Sequence, residues 1–212
     1  MKRKFFWLVT ATALVVAGCT TAKVNGIKTA TVQLKSPALS AKANGLGTLK
    51  LDGIYYETER GRVYLPALLT ALSGEATADK VYAAQTAMPD VGTVKISVTP
   101  EGNSFILKLS ADPGAKITRW GFAIDAHADE YFTGLMERTV DGPQQASWAP
   151  GIKPAMNLRG QKIDMILKPT TSVYAPFYVS SRGYATFAKT DWPGKYDFCV
   201  SDPKRVKIEY EG

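Results

Sequence analysis

The sequence of 212 residues holds only two cysteines, Cys19 and Cys199, and one histidine, His127. Two thiols exclude a disulfide-built scaffold, and a single imidazole leaves almost no material for a zinc site. Long hydrophobic runs are missing as well. The longest, near the N-terminus, is too short to span a bilayer as a helix, and no second one follows. Neither charge sign dominates strongly: 26 Lys and Arg against 19 Asp and Glu give +7, and no basic run with interleaved aromatics argues for nucleic acid. A phosphate-cradling loop is absent, because Gly45-Leu46-Gly47 lacks both the third glycine and a following helix. What remains is an ordinary globular composition, 45% apolar and 21% charged, which excludes disorder and collagen and suits one large domain with a core of its own.

The first residues read as an export segment. Lys2, Arg3 and Lys4 form a basic n-region, and Phe5-Phe6-Trp7-Leu8-Val9 opens an apolar h-region that runs to Val16. It ends at Val16-Ala17-Gly18-Cys19, which resembles the lipobox of bacterial lipoproteins. That resemblance implies cleavage after residue 18 and lipidation of Cys19. The expected location is the bacterial cell envelope, the domain held on the membrane (the outer membrane) by its acyl chains and facing periplasm or exterior. Each buried methylene would contribute about 0.8 kcal/mol to such an anchor. Loss of residues 1–18 removes three cations and leaves 23 against 19, or +4, too mild to call for an anionic partner. Cys199, left alone and with no histidine nearby in sequence, reads as a small buried hydrophobe in a strand.

Residues 19–47 carry Thr, Ala, Lys, Ser, Gly and Asn with few large apolar side chains, and read as a tether apart from a possible short strand at Thr31-Val32-Gln33-Leu34. From residue 48 short apolar segments alternate with turn residues. Val94-Lys95-Ile96-Ser97-Val98 has a period of two, Pro100-Glu101-Gly102-Asn103 supplies a turn, and Phe105-Ile106-Leu107-Lys108-Leu109 returns, which predicts a hairpin. A short helix is expected over residues 65–72, with Pro66 in its first turn and Ser73-Gly74 at its end, and a weaker one over residues 76–87. Further strands are expected at residues 116–124, 162–167, 175–180, 184–188, 196–200 and 206–210. Many short strands joined by turn signals predict an all-β, antiparallel β-sandwich over residues 48–212, with one or two short helices.

Several motifs in the second half carry a further resemblance. Tyr131-Phe132-Thr133-Gly134-Leu135-Met136-Glu137-Arg138 is followed by Asn157-Leu158-Arg159-Gly160, then by Pro176-Phe177-Tyr178-Val179-Ser180-Ser181-Arg182-Gly183-Tyr184-Ala185-Thr186-Phe187, and then by Asp191-Trp192-Pro193 and Tyr196-Asp197-Phe198. In this order, over about residues 120–212, they resemble the N-terminal β-sandwich of glycoside hydrolase family 31, the α-glucosidase and α-xylosidase family. The resemblance implies a galactose mutarotase-like supersandwich. In that family a (β/α)₈ barrel follows and carries both catalytic aspartates. A retaining glycosidase needs two carboxyl groups about 5–5.5 Å apart, and no residue of this chain is assigned to such a pair. Met136 departs from the family by replacing the second glycine of its element, which bears on a tight backbone approach there.

Read by themselves, the same residues make a strand pair. Phe177 and Val179 face one side, Tyr178 and Ser180 the other, Arg182-Gly183 turns, and Tyr184 and Phe187 re-enter the sheet. Gly183 is expected at positive φ. The family's sandwich lends one loop to the sugar site, which the resemblance places at Lys168-Pro169-Thr170-Thr171-Ser172-Val173-Tyr174. Thr170, Thr171 and Tyr174 are therefore candidate sugar contacts. Trp148, in the polar stretch of residues 141–154, is a candidate stacking face for a pyranose, and Trp192 is a second.

His127 sits in Asp125-Ala126-His127-Ala128-Asp129-Glu130 and reads as a loop histidine rather than an epimerase acid; the acidic residues there lack the alternate spacing of a calcium loop. No metal, cofactor or catalytic residue is expected. The expected role is that of a non-catalytic carbohydrate-associated module of a family 31 α-glycosidase. Its partners would be an α-glucan or xyloglucan-type oligosaccharide, the membrane, and a separate catalytic barrel. The alternatives are a free-standing carbohydrate-binding surface lipoprotein and a truncated gene product.

Overall fold

The computed structural model describes residues 5–10, 31–35, 38–42, 48–71, 74–76, 81–101, 104–136, 157–165, 174–190 and 192–212. In chain order these form β1 (Phe5–Thr10), β2 (Thr31–Lys35), β3 (Ala38–Lys42), β4 (Thr48–Thr58), β5 (Gly61–Tyr64), α1 (Pro66–Ala71), β6 (Gly74–Ala76), β7 (Tyr82–Met88), β8 (Gly92–Glu101) and β9 (Ser104–Ala111). The second half adds β10 (Arg119–Asp125), β11 (Phe132–Met136), β12 (Gln161–Met165), β13 (Tyr174–Ser180), β14 (Ala185–Lys189), β15 (Gly194–Phe198) and β16 (Arg205–Glu211).

The fold is an all-β sandwich of two antiparallel sheets. One has seven strands in the order β11-β13-β14-β1-β9-β8-β7; the other has nine, in the order β12-β15-β16-β10-β4-β3-β2-β6 with β5 paired to β4. Period-two patterning decides which faces meet. Val94, Ile96 and Val98 of β8, Phe105, Leu107 and Leu109 of β9, and Val206, Ile208 and Tyr210 of β16 are all buried, while the residues between them are not. Between the sheets runs an aromatic seam: Tyr178 and Phe132 from the first meet Phe198 and Tyr196 from the second, with ring centroids 5.1–6.1 Å apart.

The expected hairpin forms as β8 and β9, joined in register from Val94↔Ala111 to Glu101↔Ser104. The short helix forms as α1, and each strand expected from residue 116 onward has its counterpart in β10 and β12–β16. Of residues 76–87, expected as a second helix, 77–80 lie outside the described residues, Ala76 closes β6, and 82–87 fall in β7, whose seven residues pair with β8 from Tyr82↔Val98 to Met88↔Gly92. Alanine-rich composition suits a helix, but the ladder offered by β8 decides the outcome. Cys199 is also not inside a strand. It lies half-buried in the bend after β15, with φ 65°.

The N-terminal third joins the sheets. Within the stretch expected as a tether, β2 and β3 form a hairpin that pairs with β6 and β4. β1 falls inside the segment read as an export signal and runs between β14 and β9. Phe-Phe-Trp-Leu-Val-Thr is aromatic and β-branched, and so short an apolar run suits a strand within a sheet as well as a signal core. Among the described residues no helix is long and apolar enough to cross a membrane.

Candidate functional site

Three of the stretches that carry the family resemblance, at Tyr131 and Phe132, Asn157 to Arg159 and Ser180 to Arg182, meet at one corner of the sandwich. The β11 backbone is tied at its first residue: Phe132 N–H donates to Asn157 Oδ1 at 3.2 Å, and Leu158 N–H donates to the Phe132 carbonyl at 2.8 Å. Arg159 reaches across the corner, its guanidinium donating at 2.8 Å to the carbonyl of His127 and at 2.8 Å to that of Pro203. Tyr131 and Ser181 exchange hydrogen bonds, Tyr131 N–H to Ser181 Oγ at 3.0 Å and Ser181 N–H to the Tyr131 carbonyl at 2.9 Å.

At the centre of this corner is Glu130, only 1% exposed. One carboxylate oxygen accepts the His127 backbone N–H at 2.8 Å, and the other accepts the Ser180 hydroxyl. Asp129, beside it and exposed, pairs with Arg182. A backbone hydrogen bond at its own residue, followed by the Arg182 contact, holds its carboxyl below the usual range. The contact between His127 and Glu130 thus runs through the peptide nitrogen, and the exposed turn carries His127 as a loop residue. These polar residues fasten strands together, and no cluster of three metal-ligating side chains occurs among the described residues.

Gly183 takes φ 81° and closes the β13–β14 turn by donating its N–H to the Ser180 carbonyl at 3.0 Å. Tyr178 and Ser180 point inward and Phe177, 39% exposed, points out, as the alternation requires.

The open surface lies elsewhere, where β10 and β15 begin and β16 ends. Two adjoining depressions of about 610 and about 290 Å³ share Arg119 and Glu211 in their walls. The larger is lined by Glu57, Glu59, Lys116, Arg119, Glu211 and Trp192, whose indole is 40% exposed. Its backbone is fixed by Glu211 N–H donating to the Pro193 carbonyl at 2.9 Å, by Gly212 N–H to the Thr118 carbonyl at 3.0 Å, and by Thr118 N–H to the Glu57 carbonyl at 2.8 Å.

Arg119 stands 4.0 Å from Glu211, and Lys195 stands 3.9 Å from Asp164 in the smaller depression. Alongside, Arg62 lies 3.9 Å over the Tyr55 ring and pairs with Glu57 at 3.0 Å and Glu209 at 2.9 Å. Tyr55 donates its hydroxyl to Glu209. Burial first, and then that hydrogen bond, push the phenol well above its ordinary value.

An aromatic face rimmed by carboxylates and guanidinium groups is suited chemically to a polyhydroxylated ring. The indole covers apolar C–H faces, and the charged groups exchange strong hydrogen bonds with hydroxyls.

Of the residues singled out in sequence, Trp192 is the one placed in this groove. Cys19, Trp148, Thr170 and Thr171 lie outside the described residues. Tyr174 opens β13 with Met136 as its register partner, in the sheet that does not line the groove. Sequence reasoning passed over Arg119, Glu57 and Glu211, which become neighbours only through the β4-β10-β16 ladders, Arg119 pairing with both Glu57 and Glu211.

No protein-family model matches the chain, and no curated protein matches it by sequence. Among solved structures, a GH31 family sulfoquinovosidase from E. rectale, in complex with an aza-sugar inhibitor, superposes with a TM-score of 0.57 at 10% identity, covering 84% of this chain. The chain shares its fold with part of a family 31 glycoside hydrolase. That part is 30% of the sulfoquinovosidase's length. A GH31 dextranase from Flavobacterium johnsoniae complexed with glucose is matched over 90% of this chain and 26% of its own at 14% identity. A cycloalternan-forming enzyme from Listeria monocytogenes, in complex with a pentasaccharide substrate, is matched over 99% and 20% at 12% identity. Their TM-scores, 0.33 and 0.37, carry no argument of their own. The sandwich described here is therefore family 31-like in fold.

Proposed function

We propose that the chain is a carbohydrate-associated β-sandwich module of family 31 type, non-catalytic by itself, that works with a catalytic barrel supplied elsewhere. The observation that carries this reading is the fold shared with part of the sulfoquinovosidase. The second reading, a free-standing carbohydrate-binding lipoprotein, draws its support from the groove at Trp192, whose exposed indole stands among Glu57, Arg119 and Glu211. In either case an α-glucan or xyloglucan-type oligosaccharide is the proposed ligand, and a lipid on Cys19 is the proposed attachment to the bacterial envelope. The charged groups nearby are committed to one another: Arg62 holds Glu57 and Glu209 together, which supports a binding surface over a general acid and nucleophile pair.

Calorimetric titration of the purified protein with α-glucosides and xyloglucan oligosaccharides tests the reading. Binding is expected to weaken about tenfold, equivalent to about 1.4 kcal/mol, in Trp192→Ala. Heat from no sugar counts against carbohydrate association. An affinity unchanged in Trp192→Ala removes the groove as its seat. Turnover of an aryl α-glycoside by the purified chain would overturn the non-catalytic assignment.

A further inference from the structure

β1 occupies the middle of the seven-stranded sheet. It runs antiparallel to both neighbours, with Phe6–Thr10 in register with Lys189–Ala185 of β14 and Phe5–Thr10 in register with Leu109–Ser104 of β9. Positions 5, 7 and 9 fall in the rows of Leu109, Leu107 and Phe105, each at most 1% exposed. Across the other flank, positions 7 and 9 share rows with Ala188 and Thr186, each 2% exposed. The three core rows of the sheet thus pass through alternate positions of this strand.

The same six residues lie in the segment read as an export signal that is removed before Cys19. Cleavage there would withdraw a strand from the centre of a sheet and leave two facing edges of backbone N–H and C=O groups, together with an open strip of core. Such edges are strong templates for another strand.

Residues 19–212 hold no replacement with the required pattern outside the strands already placed. Val24 and Ile27 are three apart, residues 137–156 are broken by Pro143, Pro150 and Pro154, and Ile166-Leu167 is followed by Pro169. We infer that the processed protein is a strand acceptor: the slot between β9 and β14 binds an extended segment of a partner polypeptide, with large apolar residues at three alternate positions, antiparallel to both flanks. The inference rests on processing before Cys19.

The intact mass of protein purified from the envelope reads the processing, and retention of residues 1–18 overturns the inference. The processed protein is then titrated with a fluorescent peptide of residues 4–11 and with its Trp7→Pro variant. Expected are saturable binding, new amide-exchange protection confined to those amides of residues 104–109 and 185–189 that face the slot rather than β8 or β13, and at least tenfold weaker binding of the variant. Absence of binding, or protection of those amides before any peptide is added, overturns it. Protection that arises on self-association alone overturns it in favour of a second copy.

Should the processed chain fail to fold, full-length protein with a protease site inserted among residues 12–17 is cleaved in place and offered excess labelled peptide. Exchange of label into the sheet supports an accessible slot, and no exchange on heating to just below the melting temperature counts against it.

Discussion

At Gly134 the β11 backbone comes so close to β13 that a Cβ would collide with the Phe177 carbonyl oxygen and stand 2.8 Å from Tyr178 Cα. Its φ of +128° is itself one that side chains rarely adopt, and the register slips between Gly134 and Met136, with Leu135 following at φ 65°. Met136 stands where a second glycine would allow a close approach, and the close approach sits instead at Gly134. Gly134→Ala adds both backbone strain and overpacking against a neighbouring main chain, and is expected to cost about 2–4 kcal/mol. Gly61→Ala provides the control, since its φ is +119° but nothing lies within 4 Å of its Cβ direction. It carries the strain alone, about 1–2 kcal/mol. Urea unfolding curves of the two variants separate these contributions; equal midpoints would remove the close approach as a cause.

The turn between β15 and β16 shows how one side chain closes an element. Asp197 receives the Val200 N–H at 2.8 Å and the Ser201 N–H at 3.3 Å, and faces Lys162 of β12 at 3.6 Å. Burial pushes its carboxyl up, but the hydrogen bonds from Ser201 and Val200, helped by the charge of Lys162, outweigh burial and hold it below the ordinary range. The unfolded chain therefore takes up this proton first as pH falls. The stabilisation is present above the unfolded value of about 3.9 and is lost as pH drops through the lower folded value. Asp197→Asn is expected to unfold more easily at pH 7 and to show a flatter loss of stability below about pH 4. Parallel acid limbs for the two proteins would contradict this.

Elements were legible in sequence where one face is buried and the other wet, as in β8, β9 and β16, because period-two patterning then records the burial directly. β7 was hidden by its alanines, whose preference yields to a neighbouring ladder. β1 was hidden because an apolar hexapeptide has the same composition in a sheet centre as in an export signal. The groove at Trp192 was half legible. The indole was visible as an aromatic beside a proline, but Arg119, Glu57 and Glu211 are scattered along the chain and meet only through register.

Among the described residues, tyrosines join the aliphatic residues in the core between the two sheets. Tyr178 meets Phe198 edge-on at 5.1 Å, Tyr196 stacks on Phe198 at 5.8 Å, and Tyr196 and Tyr210 share a hydrogen bond of 2.9 Å between their hydroxyls. Burial is the largest cause pushing the phenols of Tyr178, Tyr184, Tyr196 and Tyr210 above the ordinary value, and also that of Tyr56, which bonds Asp90 at 2.7 Å. For a group whose folded value is raised because its charged form is disfavoured, stability is intact below the unfolded value of about 10 and declines as pH rises beyond it. Tyr178, Tyr184, Tyr196 and Tyr210 cannot ionise in place without an unpaired charge entering the core between the sheets, so their ionisation and loss of the sandwich become one event. An ultraviolet titration followed at 295 nm is therefore expected to show these phenols ionising in a single steep step above pH 10, at the pH where near-ultraviolet circular dichroism collapses. Gradual ionisation with the dichroism preserved would mean that the seam admits solvent and that the sheets are not held together as described.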